Sequence, residues 1–236
     1  MRPGRVTHVL FDFFGTLVDY SAALDGTKYA ADCARLVRSY GGGVDAAGFA
    51  AGWDEAYWQF ENRARADRRE FSMDELSLAF LAGVLDRDAT PAQARELATT
   101  YVQQWNDGVV YRPDTRDVLD ALSRQYRLAV VSNTHEADLV PAHIEAMGID
   151  DYFEAVLTSV EFGWRKPHPA IYAEALDRLG IEASEAVFVG DTYDADFVGP
   201  SEAGIRAYLI DPVGAFDVPP DQRLDSLADL PARLLR

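Results

Sequence analysis

VLFDFFGTL, residues Val9 to Leu17, joins an apolar run to a single carboxylate, Asp12, and then to two phenylalanines and a glycine–threonine pair. Its apolar residues are contiguous rather than alternating, the pattern of a strand buried on both faces of a parallel sheet. Three further runs share this pattern and end in polar residues: YRLAVVSN closing at Asn133, EAVFVGD closing at Asp191 and RAYLID closing at Asp211. A fifth strand is predicted at FEAVLTS, residues 153–159. Between them lie segments of helical period, among them DTRDVLDALSRQ from Asp114 and PAIYAEALDRLG from Pro169 to Gly180, the latter closed by a C-terminal glycine. Strands alternating with helices predict right-handed crossovers and a doubly wound parallel sheet, an α/β fold.

From about Tyr20 to Asp107 the strand pattern stops. Helical periodicity runs instead through AALDGTKYAADCARLVRSYGGG, AAGFAAGWDEAYWQFENRAR, SMDELSLAFLAGVL and TPAQARELATTYVQQW. Ser72 with Glu75, and Thr90 with Gln93, have the spacing of reciprocal N-terminal caps. The expected organisation is a core of residues 1–19 and 108–236 interrupted by an all-helical insertion at 20–107. Asp19 is a candidate cap for the first inserted helix, and Trp53, Tyr57 and Trp58 either line an apolar pocket or pack the insertion's own core.

At 236 residues and 48% apolar content the chain can bury a sizeable core. Its 39 acidic against 22 basic side chains give a net charge of −17. Nucleic acids and anionic membranes require clustered cations, so neither is expected as a partner. Cys33 is the only cysteine, which excludes a disulfide within the chain and fits a reducing, cytoplasmic setting. The segment MRPGRVTHVLFDFF has an apolar run too short for a secretory signal, and no run approaches the roughly 20 apolar residues of a membrane span. Expected partners are a small-molecule substrate and, at most, a second copy: a monomer or homodimer.

In open α/β sheets ligands bind beyond the carboxyl ends of the strands, so Asp12, Ser132 and Asp191 are expected to converge on one crevice. A strand-end carboxylate followed by the Gly15–Thr16 turn can attack phosphorus to form an aspartyl-phosphate, with turn amides holding the oxygens; a turn cap is the competing role. Ser132 and Asn133 can hydrogen-bond a phosphate oxygen, although Ser132 is equally suited to cap a following helix. Lys166, in GWRKPHPAIY, lies in a loop stiffened by flanking prolines; it and Lys28 are the only lysines. GDTYDAD supplies Asp191, Asp194 and Asp196, hard oxygen ligands suited to Mg²⁺, or simply an acidic turn.

The set Asp12-Phe13-Phe14-Gly15-Thr16, Ser132-Asn133, Lys166-Pro167-His168-Pro169 and Gly190-Asp191-Thr192-Tyr193-Asp194-Ala195-Asp196 resembles the four motifs of the haloacid dehalogenase superfamily of hydrolases, in order from Val6 to about Ile210. The resemblance implies a Rossmann-like core with a helical cap inserted after the first motif. It implies Asp12 as nucleophile, Thr16 and Ser132 as phosphate positioners and Lys166 as the charge clamp. Phe13, Phe14, Gly15 and Asn133 would contact the substrate, and Asp12, the Phe14 carbonyl, Asp191 and Asp196 would hold Mg²⁺.

One position departs from the pattern. Phosphatases of the superfamily usually carry Asp two residues after the nucleophile, where it protonates the leaving group and then activates water; here that residue is Phe14. Loss of a general acid typically costs about 10² to 10⁴ in rate. The 2-haloacid dehalogenase branch has an aromatic there, because halide leaves without a proton, but it binds no metal and its fourth motif lacks the Gly-Asp pair kept here as Gly190-Asp191. A retained acidic cluster beside a nucleophilic carboxylate is costly without a cation. The expected activity is therefore Mg²⁺-dependent phosphatase chemistry, with metal-independent dehalogenation or catalytically impaired phospho-ligand binding as alternatives. If protons must be moved, His135 is a candidate.

Overall fold

The computed structural model describes residues 5–20 and 26–235. Its strands are β1 (His8–Phe11), β2 (Val18–Tyr20), β3 (Val109–Tyr111), β4 (Arg127–Ser132), β5 (Phe153–Thr158), β6 (Ala186–Gly190), β7 (Arg206–Ile210) and β8 (Arg223–Leu224). Six form one sheet in the order β5-β4-β1-β6-β7-β8, with every neighbouring pair parallel. Counted along the chain, these six strands follow the doubly wound order 3-2-1-4-5-6, so the winding reverses between β1 and β6. The α/β class and all five strands expected from the apolar runs are present.

Register sets what lies at the top of this sheet. Phe11 pairs with Val130 on one side and Val189 on the other, so Asp12 stands level with Val131 and Gly190, one residue short of Ser132 and Asp191. Every residue of β1 and β6 is buried, as contiguous apolar runs require of central strands. Below one face, Leu10, Ala129, Val131 and Phe188 pack against Ile171, Tyr172, Ala175 and Leu179 of the helix Pro169–Leu179. That helix ends at Gly180 in the left-handed conformation, as its sequence predicts. Complete burial of each large side chain contributes about 1.5–3 kcal/mol, which fixes the strands that carry the polar tips.

The chain separates into two compact units, residues 1–19 with 110–236, and residues 20–109. The second contains the helices Gly26–Ser39, Ala46–Asp67, Met73–Val84 and Pro91–Trp105. Ser72 accepts from the Glu75 amide at 3.1 Å while Glu75 accepts from the Ser72 amide at 2.8 Å, and Thr90 and Gln93 do the same. Trp53 stacks on Phe49 and meets Phe80 edge-on inside this unit's apolar core, whereas Trp58 is half exposed. Asp19 lies in β2 and pairs with Arg112 at 3.0 Å; it is not a helix cap. β2 and β3 form a separate two-stranded sheet that no periodicity announced, since three residues are too few to show one. The Lys28 side chain lies outside the described residues. Among the described residues, no helix is long and apolar enough to cross a membrane.

Candidate active site

Asp12 follows β1 directly, and its amide donates to the Val189 carbonyl at 2.9 Å, extending the β1–β6 ladder by one bond. The chain then turns tightly: the amides of Leu17 and Val18 both donate to Phe13 O, and Gly15 N donates to Val18 O. Gly15 has φ +86°, and a Cβ there would sit 2.2 Å from Asp191 Oδ2. Only glycine serves both the left-handed turn and the approach of a second carboxylate. Thr16 is buried with its hydroxyl 3.5 Å from Asp12 Oδ2, at the outer limit of a hydrogen bond.

Lys166, 3% exposed, places Nζ 2.7 Å from Asp12 Oδ1 and 2.7 Å from Asp196 Oδ1, with the Phe188 ring 5.0 Å away. Asn133 fixes that lysine's main chain: its Oδ1 accepts from Lys166 N at 2.8 Å and its Nδ2 donates to Lys166 O at 3.0 Å. Both ends of the amide thus bond the Lys166 backbone, so the side chain positions the lysine loop while Nδ2 keeps a second N–H. Ser132 is fully buried at the end of β4. The next helix starts only at Leu139, so Ser132 is not its cap.

The fourth motif folds as one wide π-helical turn, Tyr193–Val198. Such turns are rare and cluster at functional sites. Here the turn returns Asp196 toward the strand end: Asp196 N donates to Thr192 O at 2.7 Å, and Asp196 Oδ2 accepts from Thr192 N at 2.9 Å. A Cβ on Gly190 would lie 2.3 Å from Asp196 Cγ, so glycine at the end of β6 makes room for the carboxylate. Asp194 is exposed and outside the cluster. Asp12, Asp191 and Asp196 each offer an oxygen within 4.8 Å of the others.

Three carboxylates and one ammonium leave this buried group short of positive charge. Burial pushes the Asp12 carboxyl up to about 7, with Asp196 and Asp191 adding to the shift and Lys166 opposing it. Burial and then Asp196 raise Asp191 as well. For Lys166, burial works against the charge, but Asp12 and Asp196 outweigh it and hold its pKa above the usual lysine value. An all-oxygen donor set with a deficit of positive charge fits a hard divalent cation.

Phe14 stands where an acid was sought. Its ring meets Phe13 edge-on at 5.0 Å and His143 edge-on at 6.1 Å, and His143 in turn stacks on Phe13 at 6.0 Å. His143 Nδ1 pairs with the Tyr111 hydroxyl at 2.9 Å, while its buried Nε2 has no partner among the described residues. Burial lowers its pKa, favouring the neutral ring. Sequence spacing directed attention to His135; the structure adds His143 against Phe14, from a helix whose sequence carries no motif.

Residues 6–204 match the haloacid dehalogenase-like hydrolase family. Ribulose-1,5-bisphosphate 5-phosphatase of Halopiger xanaduensis is 30% identical over 216 residues, covering 87% of this chain and 85% of that protein. Among solved structures, 2-haloacid dehalogenase from Pseudomonas syringae pv. Tomato superimposes with a TM-score of 0.69 at 28% identity, over 98% of this chain and 99% of that one. A HAD phosphatase from Thermococcus onnurineus gives 0.60 at 25% identity, over 95% and 96%. The family match over residues 6–204, with the motif residues gathered at the switch point of the sheet, identifies the chain as a member of the haloacid dehalogenase-like hydrolase family.

Proposed function

We propose that this hydrolase is a Mg²⁺-dependent phosphatase that cleaves a small phosphorylated metabolite through an aspartyl-phosphate on Asp12. The observation that carries the proposal is the third carboxylate: Lys166 bridges Asp12 and Asp196, while a glycine turn brings Asp191 against them and, among the described residues, no ammonium pairs directly with it. That arrangement is reasonable beside a cation and costly without one. The relatedness to a phosphatase over most of both chains supports it.

Lys166 holds Asp12 Oδ1, which leaves Oδ2, beside Thr16, for attack on phosphorus. The bond from Oδ2 to phosphorus forms as the ester P–O bond breaks, and the electron pair leaves on the alcohol oxygen. Water then attacks the acyl-phosphate, releasing phosphate and restoring Asp12. Thr16, Ser132 and the Phe13 and Phe14 amides orient the phosphoryl oxygens, and Lys166 offsets their charge. Asn133 acts through Lys166. Asp12, the Phe14 carbonyl, Asp191 and Asp196 would hold Mg²⁺, which when bound screens the approaching dianion from the carboxylates. Phe14 can donate no proton, so substrates with good leaving groups, aryl or acyl phosphates, are favoured. In this reading, residues 20–107 form the cap that selects the substrate.

The first test is hydrolysis of 4-nitrophenyl phosphate and of ribulose 1,5-bisphosphate. Phosphate release that requires Mg²⁺, stops with EDTA and is absent in Asp12→Asn is the expected result. The likeness to a 2-haloacid dehalogenase and the aromatic Phe14 favour a second reading, displacement of halide by Asp12. Halide release from 2-chloropropionate that persists in EDTA, with no phosphate released, would replace the first reading with the second.

A further inference from the structure

Beyond the four motifs, the loop that follows β7 is built around the fourth of them. Asp211, 4% exposed, accepts from the amides of Ala215 and Phe216 through its two carboxylate oxygens, at 2.9 and 3.1 Å. Gly214 N donates to Asp211 O at 3.2 Å and Phe216 O accepts from Val218 N at 3.0 Å, so this loop has a defined main-chain conformation. Its product is the placement of one ring. Phe216 lies parallel to Tyr193, 4.6 Å between centroids and 3° between planes, and Tyr193 stacks in turn on Phe197 at 5.8 Å and 18°. Phe197 is anchored in an apolar cluster with Ala207, Leu209 and Val218.

Tyr193 is the first residue of the wide turn and stands between Asp191 and Asp196. A π-helical turn is rare and occurs mostly as a single turn at functional sites, so what packs against it bears on the site. We infer that Phe216, seated by Asp211, is a positioning residue that clamps Tyr193 and thereby holds Asp191 and Asp196 at the spacing a divalent cation requires. Residues that orient metal-ligating side chains typically change metal affinity about 10–100-fold when removed. This inference rests on the Mg²⁺ reading above and extends it to residues outside the family motifs.

The test is the affinity for Mg²⁺ alone, by calorimetry, and for Mn²⁺ by electron paramagnetic resonance, on the full chain. Wild type is expected to bind, and Asp191→Asn to lose binding. Phe216→Ala is expected to weaken both ions by about tenfold or more, and Phe216→Trp, which keeps a flat ring over Tyr193, to restore them. Val218→Ala trims the apolar cluster beneath Phe197 and Tyr193 but keeps the Phe216–Tyr193 ring pair; it is expected to lower Tm and leave the affinity unchanged. Wild-type affinity in Phe216→Ala, or equal weakening in Val218→Ala, overturns the clamp while leaving the Mg²⁺ reading in place. No ion binding in wild type overturns both.

Discussion

Replacing Lys166 with methionine would remove the ammonium and keep a flexible apolar stem of similar length in its place. Lys166 Nζ lies 2.7 Å from carboxylate oxygens of both Asp12 and Asp196, and the side chains of Lys166 and Asp196 are 1% exposed. Breaking a buried ion pair from one side costs about 3–5 kcal/mol, since the remaining charge keeps its desolvation penalty and loses its partner. For a chain of this size that corresponds to a fall in Tm of roughly 6–20 °C. The cost must depend on pH, because carboxylates relieve repulsion by binding protons. Asp12 already titrates near 7 in the folded protein, against about 4 when unfolded. The folded state therefore binds more protons between those values, and stability falls as pH rises through that window. Without Lys166 the folded value rises further, so the penalty extends to higher pH. Urea unfolding followed by circular dichroism in EDTA is expected to show a loss of about 3–5 kcal/mol at pH 8.5 and a smaller loss at pH 5, where the contact to a protonated Asp12 is a hydrogen bond rather than an ion pair and the bond to Asp196 is lost at either pH. A Lys166→Met curve that superimposes on wild type at pH 8.5, or a cost larger at pH 5 than at pH 8.5, would refute the account of this site as a charge-deficient acidic cluster held by one lysine.

Phe14→Asp restores a carboxyl two residues after the nucleophile, and turnover of an alkyl phosphate is expected to rise about 10²- to 10⁴-fold, with a smaller gain on 4-nitrophenyl phosphate; equal gains on both would show that leaving-group protonation is not what Phe14 lacks. Gly15→Ala drives a Cβ to 2.2 Å from Asp191 Oδ2 at a positive φ, and should cost about 1–3 kcal/mol in stability along with the hydrolytic activity, whereas retained activity would mean that Asp191 is dispensable. His143→Asn removes a group whose lowered folded pKa makes its neutral form the stabilising one. That contribution is complete above about pH 6.5 and lost as pH falls toward the folded value, so the Tm difference between wild type and His143→Asn should shrink on acidification; a difference independent of pH would show that the ring does not titrate differently on folding.

The doubly wound sheet was legible because its signal is local. A contiguous apolar run records burial on both faces, and the polar residue that ends it records the strand tip, so Asp12, Ser132 and Asp191 could be assigned to one crevice from their neighbours alone. The reciprocal caps at Ser72–Glu75 and Thr90–Gln93 were equally readable, since each bond spans three residues. β2, β3 and β8 were not, because strands of two or three residues hold no period.

What the tertiary structure decided are the pairings between segments far apart in the chain. Asn133, a good phosphate ligand by its position, also bonds the Lys166 backbone because β4 and the lysine loop meet there. Phe14 is packed against His143, and Asp211 with Phe216 reaches back to Tyr193, through contacts that depend on which helix or loop the sheet order brings alongside. By itself the sequence determined the chemistry of each strand tip, because burial and turn formation act over a few residues. Which tips touch, and which side chains remain free to meet a substrate, followed only from the strand order, because the close contacts of this site join residues that the chain separates and the sheet brings together.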